Sequence, residues 1–514
     1  MRESGTNIKR VVIPYWEGVN SVVQPSLARK TELAHMENAR APQIGVLEKR
    51  EGQVILGTDS SGNEFVTTAN YGLFCFENTY TTSNQGLFRV STTGGVTGLY
   101  VLTDDDRWIL IENGMSESVC SFANVNGKMV VVNGNDPNLM VDADLACTTS
   151  ISSGSLWNSP IANKVAFYKS RIYLADYISG TERYKTTVLR SSYPLGIIAL
   201  VNGDVPAADG ATWTIPITDY KYFYADDGMN SYEIYRGVTK IATVVISSYT
   251  DANMISSNVI FEAGYTSFLS ADEIWITGTY DGAKQYRWMG NPTSSGQDVK
   301  QYDTFKLVGG SEDPITMLVP IGNVLMIGNK NTLMTWDDYN LTNFDIGVGC
   351  VSKNGYVKLN GGLYFMHYSG IYSSDGAAPK LISRKVERYI KGATAAGLEA
   401  SAAGYKGLSV FFTIGDVTLF NDDGSTWKTL SDVCLEFNVA DQNWYVHTNV
   451  SATQFETYIN TDGVTQLAIC SSITPKVEVL GVEMLTNPEF TGNASGWDMG
   501  TGWSYANNKV SFSG

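Results

Sequence analysis

Residues that do chemistry are scarce in this chain. Three histidines, His35, His367 and His447, serve 514 residues and lie far apart in the sequence. No HExxH, GxSxG or phosphate-cradling glycine loop occurs, so the signatures of zinc proteases, serine hydrolases and nucleotide-binding enzymes are missing. The six cysteines, at 75, 120, 147, 350, 434 and 470, form no CxxC and no close pair. That spacing predicts buried free thiols in a reducing compartment rather than a disulfide scaffold. No stretch approaches the roughly 18 apolar residues of a membrane helix. The N-terminal MRESGTNIKRVVIPYWEG lacks the apolar core of a secretory leader, so folding in a cytoplasm is expected. Positive charge is short as well: 36 Lys and Arg face 52 Asp and Glu, a net charge of −16. Proteins that grip duplex DNA release its counterions with cations, so DNA binding is not expected here. An acidic surface would instead let DNA pass without sticking.

Helical periodicity is almost absent. Only 379–400 (KLISRKVERYIKGATAAGLEAS) places apolar residues, Ile382, Val386 and Ile390, on one helical stripe. What the chain does contain is glycine (50), tyrosine (29) and many Thr, Ser and Asn residues, a composition of strands and turns. The class is mostly β.

A short unit recurs: an apolar strand, a glycine turn, a second apolar strand, then a polar stop. It reads NGKMVVVNGNDPNLMVDAD at 126–144, YKSRIYLADY at 168–177, IGNVLMIGNKNTLMTWDD at 321–338, NGGLYFMHYSGIYSSDG at 360–376 and YKGLSVFFTI from 405. Turn glycines at 127, 322 and 362 and the Tyr-Lys pairs at 168 and 405 return near forty residues apart, once 195–300 is set aside. Repeats of about 40–50 residues built from four strands are the signature of β-propeller blades. The expected organisation is an extended arm at 1–52, a first propeller part at 53–195, an inserted small β-barrel or sandwich at 196–299, and a second propeller part at 300–480. At roughly 42 residues per blade this gives seven to eight blades. The arm, with mixed charge and little alternation, is expected to lie across a partner surface. Residues 481–514 resemble the opening strands of a jelly-roll carbohydrate-binding module, present only in part.

Candidate sites reduce to structural readings. His367, inside the strand YFMHYSG, is expected to be structural. Asp104, Asp105 and Asp106 lack the spacing of a calcium loop and read as a solvated hairpin turn, as do Asp226 and Asp227. No metal or other cofactor is expected. Trp275, Trp288, Trp336, Trp444, Tyr222, Tyr224 and Tyr235 read as core or blade packing rather than sugar platforms. Residues 420–427 (FNDDGSTW) resemble the Asp-box of sialidase-type propellers, matching at Asp422, Gly424, Thr426 and Trp427. In those families the box is a structural turn whose Trp plugs a gap between blades. A sialidase would also need a convergent arginine triad with a Tyr/Glu pair, and none assembles from this sequence. The chain is therefore not expected to be an enzyme.

Several runs together resemble the propeller-bearing tail hub or nozzle proteins of short-tailed bacteriophages. The P-x-x-x-G-[LVM]-N pattern of that family stands here at Pro14–Asn20, which includes Tyr15 and Trp16. Asn38, Arg40, Gly45, Leu47, Arg50 and Gly52 follow it in the family's order. GNVLMIGNKNTLMTWD at 322–337, the run 349–390 with its I-S-x-x-φ-[ED]-x-x-I ending, and DVCLEFNVADQNWYVHT at 432–448 are similar to later family strands. The order of these runs is more specific than any one of them. The resemblance implies a non-catalytic virion protein forming a homo-oligomeric ring, usually sixfold, below the portal and adaptor. Such a ring extends the DNA-exit channel, holds tail fibres or spikes, and passes genomic DNA without specific binding. Pro14, Tyr15, Trp16, Asn20, Arg40 and Arg50 would belong to its assembly arm. The insertion and the C-terminal module depart from the simplest members. The alternative expectation is a tail fibre or adhesin that recognises host-surface glycan through one of those two parts.

Overall fold

A computed structural model describes residues 19, 21, 38–43, 46–49, 52–76, 84–125, 127–149, 159–169, 171–179 and 181–191, and, in the insertion, its strands between 197 and 276 with residues 262–267 and 269. It also describes 305–307, 313–337, 340–344, 346–421, 423–471, 476–482, 503–506 and 509–512. The chain is mostly β. Seven four-stranded antiparallel sheets follow one another, and the fold is a seven-bladed β-propeller.

Blade 1 runs from Ala69–Cys75 to Trp108–Asn113, blade 2 from Ser121–Val125 to Cys147–Thr149, and blade 3 from Ile161–Tyr168 to Phe305–Leu307. Blade 4 runs from Met317–Ile321 to Leu341–Asn343, blade 5 from Tyr356–Leu359 to Lys380–Leu381, and blade 6 from Ala403–Lys406 to Asn443–His447. Blade 7 uses Ala452–Ile459, Thr465–Ser471 and Val477–Val482, and takes its outer strand, Gly52–Ile55, from the beginning of the chain. The repeat is visible in the sequence because blades 2, 4, 5 and 6 reverse tightly between their first two strands. Gly127, Gly322, Gly361 and Gly407 sit there at φ +80°, +52°, +77° and +59°, a region that costs other residues energy. In blade 5 the residue in that region is Gly361, and Gly362 begins the next strand.

By packing, the chain divides into two units. One contains blades 5, 6 and 7 with blade 1 as far as Leu110; the other contains blades 2, 3 and 4 with the insertion. In the first unit, neighbouring blades are joined by side chains that imitate strand pairing. The Gln454 side-chain amide accepts from the Leu73 N–H at 2.9 Å and donates to the Leu73 carbonyl at 2.7 Å. The Thr457 hydroxyl donates to the Tyr405 carbonyl. Side chains of the first strand of blade 7 thus satisfy backbone groups in the first strands of blades 1 and 6.

In the second unit the insertion leaves blade 3 between its third strand, Glu182–Arg190, and its fourth, Phe305–Leu307. Its described strands form one six-stranded antiparallel sheet, with Ile197 paired to Trp275 near the two ends of the insertion. Paired ends let a long segment leave and rejoin a blade at little entropic cost. Residues 503–506 and 509–512 form a two-stranded hairpin.

The expected helix at 379–400 is broken into three short pieces: a 3₁₀ turn at Ser383–Val386, a helix at Glu387–Gly392 (α1) and a helix at Ala395–Glu399 (α2). The break has a tertiary cause. Ala393 is extended and pairs antiparallel with Val417 of blade 6. Thr394 then caps α2, accepting the Gly397 N–H at 3.0 Å.

Residues of the arm contact their own chain. Val19 is wholly buried, and its N–H donates to the Trp444 carbonyl at 3.0 Å. Ser21 donates to the Lys385 carbonyl through both its N–H, at 2.7 Å, and its hydroxyl, at 2.8 Å. Asn38 donates its N–H to the Val446 carbonyl and accepts the Thr448 N–H, at 2.9 and 3.0 Å. The outer strand of blade 6 is thus covered by the chain's own N-terminal part, which satisfies an otherwise open sheet edge.

Candidate functional site

Blade 6 is longer than its sheet. Its second and third strands, Ser409–Phe420 and Thr426–Asn438, pair along their length, whereas its fourth strand pairs only with Cys434–Asn438. The remainder is a two-stranded ribbon projecting beyond the blade. Val417, Leu419, Leu430 and Val433 of this ribbon belong to one buried cluster with Val386, Tyr389, Ile390 and Leu398 of the helical segment. Glycine makes this approach close. A Cβ on Gly392 would stand 2.4 Å from the Thr418 carbonyl oxygen, and one on Gly397 would stand 2.6 Å from that of Ile414. Gly392→Ala should therefore lower stability by about 1–3 kcal/mol through backbone displacement, read as a lower urea midpoint. An unchanged midpoint would show that the helix does not rest on the ribbon.

At the ribbon's tip the chain turns through Asn421–Ser425. The Asn421 N–H donates to the Ser425 carbonyl at 2.8 Å, and Gly424 sits at φ +81°. The Asp423 carboxylate accepts from the Ser425 N–H and hydroxyl at 2.9 and 2.6 Å, which holds its pKa below the usual carboxylate range. Asp422 lies outside the described residues. Gly424 lies in the turn and Thr426 opens the strand after it. Trp427 does not fill a gap between blades: it is 44% exposed, and the Arg388 guanidinium lies 4.9 Å from its ring centroid. Arg388 also donates to the Phe420 carbonyl, and Phe420 is itself 48% exposed. Lys391 pairs with Glu387 at 2.5 Å across one helical turn. A cavity of about 290 Å³ opens between the helix and the ribbon, with Ser21, Glu387, Arg388, Lys391, Thr418 and Phe420 among its walls.

This arrangement offers an aromatic face, a guanidinium and a cavity, the elements from which binding surfaces are built. Elsewhere, His367 is buried, meets the Ser369 hydroxyl at 2.7 Å within a tight turn, and has its pKa lowered by burial. His447 is buried against Glu436 at 2.7 Å. Asp105 pairs with Arg107 in the exposed turn of blade 1, as a solvated hairpin turn requires. Trp336 and Trp444 are buried core residues. All six cysteines are free, four of them buried. Among the described residues no cluster of His, Cys, Asp and Glu is suited to a metal, and no helix is long and apolar enough to cross a membrane.

Of the expected arm residues, Arg40 lies in the strand Ala39–Gln43, opposite Glu48; Pro14, Tyr15, Trp16, Asn20 and Arg50 lie outside the described residues, as do His35, Asp226 and Asp227. Sequence reasoning missed Arg388 and Phe420. The available signal was Phe420 standing where the Asp-box has serine, a large apolar residue at an exposed turn.

No protein-family model and no curated protein sequence matches the chain. Solved propeller structures do resemble it. The streptogramin B lyase structure matches 84% of this chain and 98% of its own, at 8% identity and a TM-score of 0.38. BamB from Moraxella catarrhalis matches 84% and 96%, at 9% identity and 0.31. Sqt1 of Saccharomyces cerevisiae matches 81% and 97%, at 10% identity and 0.34. These likenesses carry nothing about activity. The fold rests on the chain's own seven sheets.

Proposed function

We propose that this protein is a tail hub or nozzle subunit of a short-tailed bacteriophage. In this reading it is non-catalytic, folds in the host cytoplasm and closes into a homo-oligomeric ring in the virion tail. The ring extends the DNA-exit channel below the portal and adaptor and anchors fibres or spikes. What supports the reading is a convergence of the resemblance-bearing runs in space. Val19, the apolar position of the Pro14–Asn20 pattern, shares a buried cluster with Val386 and Ile390 of the 382–390 pattern and with Trp444 of the 432–448 run. Ser21 bonds the Lys385 backbone, the Trp444 indole donates to the Ile382 carbonyl at 3.2 Å, and Asn38 bonds Thr448. Patterns separated by more than 350 residues thus meet in one packed module.

The charge agrees with a conduit role. A net −16 chain leaves DNA unbound, and a DNA-exit channel requires passage without capture. The test is electron microscopy of the purified full chain with mass photometry. Closed rings with a channel wide enough for duplex DNA are expected. Monomers or slender trimers would overturn the hub reading in favour of a fibre.

A further inference from the structure

Two exposed faces of the unit containing blades 5, 6, 7 and 1 are complementary in chemistry. The first is the blade 6 ribbon with the helix beside it. Phe420 and Trp427 are about half-exposed there, Arg388 lies over Trp427, and Arg384, Lys391 and Lys428 reach solvent. Glu387 and Lys391 neutralise each other and Asp423 is held by its own turn, which leaves the positive charge of this face to Arg384, Arg388 and Lys428. The second face is the outer strand of blade 1. Its consecutive residues Ile109 and Leu110 are 44% and 46% exposed. The turn before them carries exposed Asp104, Asp105 and Asp106 against Arg107, which is bound to Asp105.

An outer strand with two adjacent aliphatic residues in water is an arrangement that soluble sheets avoid, because it invites pairing with another chain. Blade 6 shows how this chain treats an edge it keeps to itself: Asn443–His447 is buried and its carbonyls are taken by Val19 and Asn38. On blade 1 the chain's own Thr58 bonds the start of the outer strand, at Asp106 and Trp108, and among the described residues no such cover continues over Ile109 and Leu110. In a protein of net charge −16 most surface patches repel a second copy. A cation-rich aromatic face meeting an acid-flanked apolar edge is the combination that attracts one, and Trp, Phe and Arg are the residues on which interfaces concentrate their energy.

We propose that these two faces are the halves of one heterologous interface between copies of this chain. The ribbon face of one copy seats on the blade 1 edge of the next. Because the patches differ, the contact repeats head to tail and closes as a ring where the rotation fits. The inference rests on the ring-forming reading above and names its contact.

The test uses the full chain in three forms: wild type, a ribbon variant (Lys391→Glu with Trp427→Ala) and an edge variant (Ile109→Ser with Leu110→Ser). Mass photometry is expected to show rings for wild type. Each variant should need at least about tenfold more protein to assemble. An equimolar mixture of the two variants should give heterodimers and nothing larger, since each then supplies one intact face. Folding is checked by circular dichroism. Should either variant misfold, the single charge reversals Asp104→Lys and Lys391→Glu, at solvated positions, replace them in the same measurement. Folded variants that form rings as wild type does, or a mixture that restores rings, would overturn the interface. Wild type that never assembles would instead overturn the ring reading on which it rests.

Discussion

Val19→Asp is expected to destabilise the protein by about 3–5 kcal/mol, among the largest effects of any change in the N-terminal arm. Val19 is wholly buried, in one cluster with Val386, Tyr389, Ile390 and Trp444. Aspartate there would lose the apolar contact and place a carboxylate where no cation waits among the described residues of that cluster. Val19→Ala should cost less, about 1–3 kcal/mol, because it leaves only a small void. Ser21→Ala should cost about 1 kcal/mol, since it removes one hydroxyl bond to Lys385 while the backbone bond persists. The measurement is the urea midpoint of each variant, with limited proteolysis mapping whether cleavage concentrates in 380–450. A Val19→Asp protein with the wild-type midpoint would show that the arm does not dock on its own blades. The expected ranking also separates two roles of the arm. Residues 19, 21 and 38 stabilise their own chain, so deleting the whole segment would confuse a folding defect with an assembly defect. Point changes at Tyr15 or Trp16 test assembly more cleanly.

Glu456→Gln should stabilise the protein at alkaline pH while leaving it little changed near pH 5. Glu456 lies on the first strand of blade 7, two residues after Gln454. On that face Gln454 bonds the backbone of Leu73, and Glu456 accepts from the backbone of Cys75. The residue as a whole is half-buried, yet burial of its carboxyl pushes the pKa from 4.5 up to about 8, with the two backbone bonds opposing that rise. The folded chain therefore keeps this proton over a range in which the unfolded chain has released it. Stability associated with Glu456 is fully present below about pH 4.5, declines as pH rises, and is lost once pH passes about 8. With a discount for residual exposure, the loss is about 2–4 kcal/mol. Glutamine keeps an acceptor for the Cys75 N–H and removes the titration. The check is the unfolding midpoint of both proteins from pH 5 to pH 9. The wild-type curve should fall relative to the variant's, and parallel curves would sink the prediction.

Much of the architecture is legible without coordinates because its causes are local. A strand needs alternating or continuous apolar residues, a tight reversal needs a residue that tolerates positive φ, and these signals repeat wherever a blade repeats. That is why NGKMVVV, IGNVLMI and NGGLYFM identified blades 2, 4 and 5. The helix at 379–400 was misread for a reason of the opposite kind. Its periodicity continues through Ala393, but the partner that bends Ala393 into a strand bridge is Val417, invisible to any local window. Trp427 was misplaced likewise: its neighbours in the turn fit an Asp-box, but Arg388, from another element, covers its ring and leaves it at the surface.

By itself the sequence determined the β class, the repeating four-stranded unit, the free thiols and the acidic balance of charge. Composition and turn chemistry act within a few residues and need no fold to be read. Only the tertiary structure decided that the chain's beginning supplies blade 7 with its outer strand and covers the edge of blade 6. It alone decided that the insertion springs from within blade 3, and that Arg388, Phe420 and Trp427 meet at one exposed tip. Those arrangements depend on which surfaces remain unburied after the sheets form. Hydrophobic burial and backbone pairing act between residues hundreds of positions apart, and the linear order of the chain does not record which of them will meet.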